Sequence, residues 1–260
     1  MSIPENGYPR AAAVSPRLHV APSVDSTNKK LLKDAFDDPD GHPHLSAVVT
    51  RDQTAGRGRL DRTWVTPPDS ALAVSVLLRV EAVPVAQRGW IPLIAGAAMT
   101  AAVRAQLEDR EVGLKWPNDV LVGGLKICGI LAEVMPGDPH AVVVGAGVNT
   151  RMTAAELPVP TATSFAALGR TADEDQLLAD YLTRLRDGIA DLAVGGTAAG
   201  LATKAVRDAC TTVGSDVSVS LPDGSSLIGR ATGIDDEGRL VVEAAGVAHV
   251  VSAGDVVHVR

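Results

Sequence analysis

The sequence predicts an α/β body followed by a small all-β module. Three observations lead there. Over the first two thirds, β-branched apolar runs alternate with glycine-containing segments and helical stretches. Residues 175–192 carry an apolar stripe of helical period. After about Thr212 the chain changes to short alternating valine runs broken by turn residues. The first two describe a layered sheet-and-helix unit, the third a compact antiparallel one.

The first 17 residues are rich in Pro, Ala and Ser and are expected to be a mobile lead-in, with order beginning near Leu18. Ser26 and Thr27 offer N-cap hydroxyls to a short helix over NKKLLKDAF. Leu45 to Arg51 and Ala71 to Val80 read as strands, the second largely buried. Gln87 to Leu107 has the small apolar composition of a buried helix, with Pro92 near its start where proline is tolerated. Three strand-like runs follow: Val112 to Lys115, Lys126 to Val134 and His140 to Val148. In Asp175 to Leu192, Leu177, Leu178, Tyr181, Leu182, Leu185, Ile189 and Leu192 fall on one helical face. A last helix is expected over Gly200 to Ala209. Turn signals at Pro222-Asp223-Gly224, Asp235 to Gly238, Ala245-Gly246 and Ala253-Gly254 then punctuate a barrel of about 50 residues. The division is a lead-in over 1–17, a body over 18–210 and the β module over 211–260.

Composition narrows the function. The chain has 260 residues, 46% of them apolar, and a net charge of -7. Such a balance argues against a general nucleic-acid binder, which needs a broad basic face. Two distant cysteines, Cys128 and Cys210, suit a reducing compartment and provide no zinc spacing. The most apolar stretch, Trp90 to Val103, is interrupted by Pro92 and Gly96 and falls short of the roughly 20 residues a membrane span needs. The N-terminus lacks a signal-peptide pattern. A cytoplasmic location with no membrane partner is expected.

Four segments carry chemistry. In DQTAGRGRLDRTW (52–64), Arg57, Arg59 and Arg62 stand among Gly56 and Gly58, with Trp64 closing the stretch. The glycines allow close backbone approach, the arginines are planar permanent cations suited to phosphate or carboxylate, and Trp64 offers a stacking face. The combination describes a clamp for an anionic ligand. In GLKWPND (113–119), Pro117 interrupts a ladder so that Lys115, Asn118 and Asp119 can line a cleft, with Asp119 a possible Mg²⁺ ligand. In GGLKICGILAE (123–133), Lys126 heads an apolar strand and Gly129 lets a ligand lie against backbone. In GAGVN (145–149), glycines end a buried strand and Asn149 offers an amide.

Each segment also has a plain structural reading: a solvated loop, a turn, a lysine capping a strand, and core packing. Neither a Walker loop nor a dinucleotide fingerprint is present, because the required Lys-Ser/Thr pair and third glycine are missing. No Ser-His-Asp spacing or HExxH occurs, and the six histidines are scattered. A reaction without a covalent protein nucleophile fits best.

Together, Ser26-Thr27-Asn28, Gln53 through Trp64, Lys115 through Asp119, Lys126 through Glu133 and Gly145 through Asn149 resemble, in order and spacing, the motifs of biotin protein ligases. The ending VSAGDVVHVR resembles that family's SH3-like module, and the resemblance spans about residues 18 to 260. It implies a class II synthetase-like catalytic fold, a central mixed sheet flanked by helices, with a small C-terminal SH3-like barrel. It implies that ATP and biotin give biotinyl-5′-adenylate and pyrophosphate. The adenylate then acylates a lysine of a biotin carboxyl carrier domain of an acyl-CoA carboxylase. By motif, Ser26, Thr27, Asn28, Gln53, Gly56, Arg57, Gly129, Gly145 and Gly147 fall to biotin. Arg59, Arg62, Trp64, Lys115, Asn118, Asp119 and Asn149 fall to ATP or the adenylate, with Asp119 also the Mg²⁺ ligand. Lys126 and Arg57 are the catalytic pair, Lys126 sitting where carboxylate meets α-phosphate. Lipoate or octanoate transferases share the overall sheet but not the pairing of GRGR with KWPND. A DNA-binding repressor would need roughly 60 residues of helix-turn-helix ahead of Ser26, where 25 stand, so no DNA operator is expected. Two departures from the family pattern stand out. Leu60-Asp61-Arg62 replaces a glycine-containing continuation, and Cys128 sits where a small apolar residue is common, there a packed thiol.

Overall fold

The computed structural model describes residues 7–221 and 224–259. Its first element is a short helix, α1 (Pro9–Ala12), with proline at the N-terminal position that tolerates it. Tyr8 and Ala11 are buried in the main core. The backbone amides of Arg10 and Ala11 donate to Asp175. From residue 8 onward the expected mobile lead-in is therefore part of the packed body, because one aromatic and one small side chain found a groove on a later helix. Residues 1–6 lie outside the described part.

Strand β1 (Leu18–Val20) and helix α2 (Thr27–Asp37) follow. Ser26 caps α2, its side chain accepting from the Lys29 amide as the sequence suggests. Next come β2 (Ala47–Thr50), β3 (Gly56–Arg57), β4 (Thr63–Trp64) and β5 (Leu72–Arg79). Helix α3 (Trp90–Gln106) leads into β6 (Val112–Lys115), β7 (Asp119–Val122), β8 (Leu125–Met135) and β9 (Asp138–Val148). Helices α4 (Glu174–Val194) and α5 (Gly196–Ala209) close the body.

Seven strands form the central sheet in the order β1-β2-β5-β9-β8-β7-β6. The β1–β2 pair is parallel and the remaining pairs are antiparallel, so the sheet is mixed. The faces of β5 and β9 are almost wholly buried, which is why both read as continuous apolar runs. On one side the sheet packs in a large core with α3 and the stripe of α4. On the other, a smaller cluster includes Leu31 and Ala35 of α2 with Val48, Leu77 and Val143.

The C-terminal part is β10 (Asp216–Ser220), β11 (Ser226–Ile234), β12 (Leu240–Ala244), β13 (Val247–Val251) and β14 (Asp255–His258). They form a five-stranded antiparallel sheet in the order β13-β12-β11-β10-β14. Its inward residues, Val217, Val219, Leu240 and Val242 among them, share one core cluster with the body. Two tryptophans seal the contact: the indole N–H of Trp90 donates to the Asp236 carbonyl and that of Trp116 to the Gly238 carbonyl. This docking sets β14 beside the site described next.

Candidate active site

The glycine-arginine segment leaves β2 and returns as a two-stranded hairpin. Gly56 pairs with Trp64 and Arg57 with Thr63. Between them Leu60 and Asp61 both have positive φ, 53° and 58°. The Arg62 amide donates to the Arg59 carbonyl at 3.1 Å, and the Gly58 amide to the Arg62 carbonyl at 2.7 Å. Two left-handed central residues inside such a bond are the mark of a type I′ turn, whose twist suits a tight hairpin. That geometry accounts for Asp61: the second central position wants glycine, and aspartate is among the side chains that tolerate it best.

Trp64 turns from this hairpin onto the sheet. A methyl carbon added at Gly147 would lie 2.7 Å from the indole, and one at Gly129 3.3 Å from it and 3.2 Å from the Lys126 ammonium. In this structure the bare backbone of β8 and β9 thus receives Trp64 and Lys126, and Gly145 faces the Asn28 amide in the same way. Lys126 reaches from the start of β8 to Asp119, 2.6 Å away, and stands 5.6 Å from the Trp64 ring centre. The charge placed beside an aromatic face suits a cation–π contact.

One wall is built from hydroxyls and amides. Gln53 Oε1 accepts from the Thr27 amide at 2.8 Å and the Thr27 hydroxyl at 3.0 Å. The Ser75 hydroxyl lies 2.7 Å from Thr27 Oγ1 and 2.5 Å from Asn28 Oδ1. The Asn28 amide nitrogen donates to Glu133 at 2.8 Å and to the Leu131 carbonyl at 3.2 Å. Glu133 in turn pairs with Arg57. On the opposite wall Arg59 donates to Asn118 Oδ1 at 3.1 Å, while the Asn118 amide nitrogen donates to the Ile130 carbonyl at 2.8 Å. Arg62 pairs with Asp255. Burial pulls the Arg59 guanidinium below its ordinary pKa, with Asp255 and Asp119 opposing. Burial also lowers the Lys115 ammonium, against the pull of Asp119. The same effect raises the Cys128 thiol, which is fully buried and so unreactive.

A single pocket gathers Ser26, Thr27, Asn28, Gln53, Arg57, Arg59, Arg62, Trp64, Asn118, Asp119, Lys126, Gly129, Gly145 and Gly147. Three sequence candidates do not line it. Gly56 is buried within the hairpin's first strand, where a side chain would strike the Trp64 carbonyl. Lys115 is half-buried at the end of β6. Asn149 is 3% exposed, its amide nitrogen donating to the Thr163 carbonyl at 2.9 Å. Ser75, Glu133 and Asp255 take part without having been singled out. Only Ser75 left a signal, as one hydroxyl in an otherwise apolar buried strand.

The ends of the two site-bearing segments are tied by a buried carboxylate. Glu174 at the start of α4 accepts from Thr150 and Arg151 through Oε1, and from Arg51 and Tyr8 through Oε2. One oxygen holds the exit of β9, the other the entry to the arginine hairpin. Among the described residues no helix is long and apolar enough to cross a membrane.

A cleft with four cations, an indole and a wall of hydroxyls and amides, set on a mixed sheet, defines a binder of a small ligand carrying both anionic and flat groups. The sequence matches the biotin/lipoate A/B protein ligase family over residues 20–149 and the biotin protein ligase C-terminal domain over residues 212–259. It is 40% identical over 248 residues to the biotin–[acetyl-CoA-carboxylase] ligase of Mycobacterium tuberculosis, covering 94% of this chain and 90% of that protein. It is 31% identical over 246 residues to the bifunctional ligase/repressor BirA of Salmonella typhimurium, covering 93% of this chain and 74% of that one. In fold it is similar to the biotin protein ligase of Aquifex aeolicus solved with biotin and ATP. The TM-score is 0.76 at 23% identity, covering 94% of this chain and 99% of that chain. The chain belongs to the biotin protein ligase family.

Proposed function

We propose that this protein activates biotin with ATP and transfers it to a lysine of a biotin carboxyl carrier domain of an acyl-CoA carboxylase, in the cytoplasm. One observation carries the reading: the hairpin arginines, Trp64, Asn118, Asp119 and Lys126 converge on one pocket with Thr27, Asn28 and Gln53. The polar wall of Gln53, Thr27 and Asn28 offers donors and acceptors for a ureido group. Arg59, Arg62 and Trp64 suit a nucleotide, phosphates on the guanidinium groups and the base against the indole. Lys115 would add charge from behind, and Asn149 would support the same half from beneath.

In the first step a biotin carboxylate oxygen bonds to the α-phosphorus of ATP, and the bond to the β-phosphate oxygen breaks, releasing pyrophosphate. Two anions must approach, so Lys126 and Arg57 offset their repulsion where charge accumulates. Asp119 is the carboxylate that would hold a Mg²⁺ entering with the triphosphate, where the ion's chemistry is charge neutralisation. A single carboxylate plus phosphate oxygens suits that ion. In the second step the acceptor amine bonds to the acyl carbon, the bond to AMP breaks and the amine loses a proton. The pocket would position both partners, and alignment supplies much of the acceleration.

We assign the catalytic unit to residues up to about 210, now including α1, and the C-terminal unit to 211–260. The C-terminal sheet is proposed to curl into an SH3-like barrel, as its match to the ligase C-terminal domain suggests. ATP-dependent transfer of biotin to a purified carrier domain tests the function. Transfer of lipoate in preference to biotin, or no transfer of either, would sink it.

A further inference from the structure

The nucleotide half of the pocket is crossed by a carboxylate from the other sheet. Asp255 opens β14 and pairs in register with Ser220 of β10. Gly254 before it has no room for a side chain: a methyl carbon there would stand 2.8 Å from Val219 and 2.9 Å from the Ser220 carbonyl. That tight fit delivers Asp255 into the pocket, where it is the one lining residue from the C-terminal sheet among those described. One oxygen pairs with Arg62, 193 residues away in sequence, and the other faces Arg59 at 3.9 Å. Arg59 has two further acceptors, Asn118 Oδ1 at 3.1 Å and the Gly254 carbonyl at 3.3 Å.

These contacts divide into two kinds. Asn118 and Gly254 are neutral acceptors that also hold Arg59, so Asp255 is not the sole anchor of that side chain. Asp255 is the charged partner, and a carboxylate between two guanidinium groups presents the charge and acceptor oxygens that a phosphate would present. A phosphate entering there must break the Arg62 pair and stand beside a like charge.

We propose that Asp255 is a competing counter-ion that sets the nucleotide affinity of this site. A phosphate-bearing ligand displaces it from Arg59 and Arg62, and the hold of the C-terminal sheet on the hairpin relaxes as the nucleotide binds. This rests on Arg59 and Arg62 being nucleotide-binding residues. The Arg62 side chain is 65% exposed and Asp255 26%, so each pair is only partly shielded. Partly exposed pairs are worth a few-fold each, and removing the competitor should tighten binding about three- to tenfold.

The test uses the full chain with Asp255→Asn, which keeps shape, and Asp255→Ala as a second variant should the first fold poorly. Isothermal titration measures biotin alone, then a non-hydrolysable ATP analogue with Mg²⁺ on the biotin-loaded protein. The nucleotide analogue should bind either variant about three- to tenfold more tightly, with biotin affinity within twofold of the original. Adding Arg62→Ala should remove most of the gain, because the two residues act as a pair. Amide exchange at Gly58 and Arg62 should quicken in the variants. Unchanged nucleotide binding overturns the proposal, and weaker binding overturns it by making Asp255 a positioning residue. Failure of the underlying reading shows otherwise: the unaltered protein would bind neither biotin nor the nucleotide analogue, which sinks both.

Discussion

Replacing Lys126 by alanine should stop adenylate formation while the fold persists. Lys126 Nζ lies 2.6 Å from Asp119, with the two side chains 33% and 20% exposed. The pair is thus more shielded than a surface ion pair, worth about 0.2–1 kcal/mol, and far from the fully buried kind whose breakage costs about 3–5 kcal/mol. A stability loss of about 1–2 kcal/mol follows, or a fall of roughly 2–8 °C in Tm for a chain of this size. The protein stays folded at 25 °C. Catalysis is affected more strongly, because a preorganised cation acting where charge develops contributes about 10²–10³-fold, near 3–4 kcal/mol. Biotin-dependent exchange of pyrophosphate into ATP measures the first step without a carrier. Circular dichroism melting run in parallel separates the two effects. Exchange within a few-fold of the original protein, at an unchanged Tm, would remove Lys126 from the chemistry.

Three further outcomes are expected. Trp64→Ala should weaken nucleotide binding about ten- to a hundredfold, the usual worth of a base stacked on an indole, and biotin binding much less; equal losses on titration would argue against the stacking role. Asp61→Gly should slow amide exchange at Gly58 roughly two- to fivefold, since a side chain with positive φ costs about 1 kcal/mol that glycine avoids; unchanged or faster exchange refutes a strained turn. Stability should fall as pH drops below about 6.5, because His44 Nδ1 accepts the Arg79 amide at 3.0 Å and must be neutral to do so. Burial, with Arg79 adding and Glu81 opposing, holds its pKa below 6.5, so the unfolded chain takes up the proton first. His19 and His258 are shifted the same way by burial. Melting from pH 8 to 5 should show a shallower decline for His44→Gln, and an identical slope would exclude this residue.

What could be read from the chain depended on how local each signal was. The stripe of α4 declared itself because seven large side chains recur at helical spacing, and the observed helix, Glu174–Val194, extends the expected 175–192 by a residue or two. The apolar runs of β5 and β9 were visible for the same reason. Strand β7 was not: Asp119–Val122 is four residues long, pressed between Pro117 and the Gly123-Gly124 turn. Helix α1 is as short, and its place depends on a surface of α4 some 165 residues away. The site followed the same rule. Four contiguous motifs named most of the pocket, whereas Glu133 and Asp255 matter only for what faces them across the fold. The glycines of β8 and β9 offer space for a ligand by sequence; in the structure they line the pocket, with Trp64, Lys126 and Asn28 lying against them.

The net charge of -7 and the cationic clamp belong to one arrangement. Arg57 faces Glu133, Lys126 faces Asp119, and Arg59 with Arg62 faces Asp255, each carboxylate coming from a different strand. Four cations in one cleft would otherwise repel one another and hold the hairpin away from the sheet. Pairing lets the hairpin close over the pocket, at the expense that any anionic ligand must compete with three built-in counter-ions. Asp61 stands apart from these pairs. It is exposed at the tip of the turn, with its side chain in none of the ion pairs found among the described residues, so its charge does not explain its presence. The left-handed backbone does: aspartate accepts that conformation at moderate strain, which keeps the turn formed yet easier to open than glycine would leave it. A clamp that must admit a ligand and then hold it is served by such a turn. That is why Asp61→Gly is expected to alter the hairpin's opening rather than the chemistry beneath it.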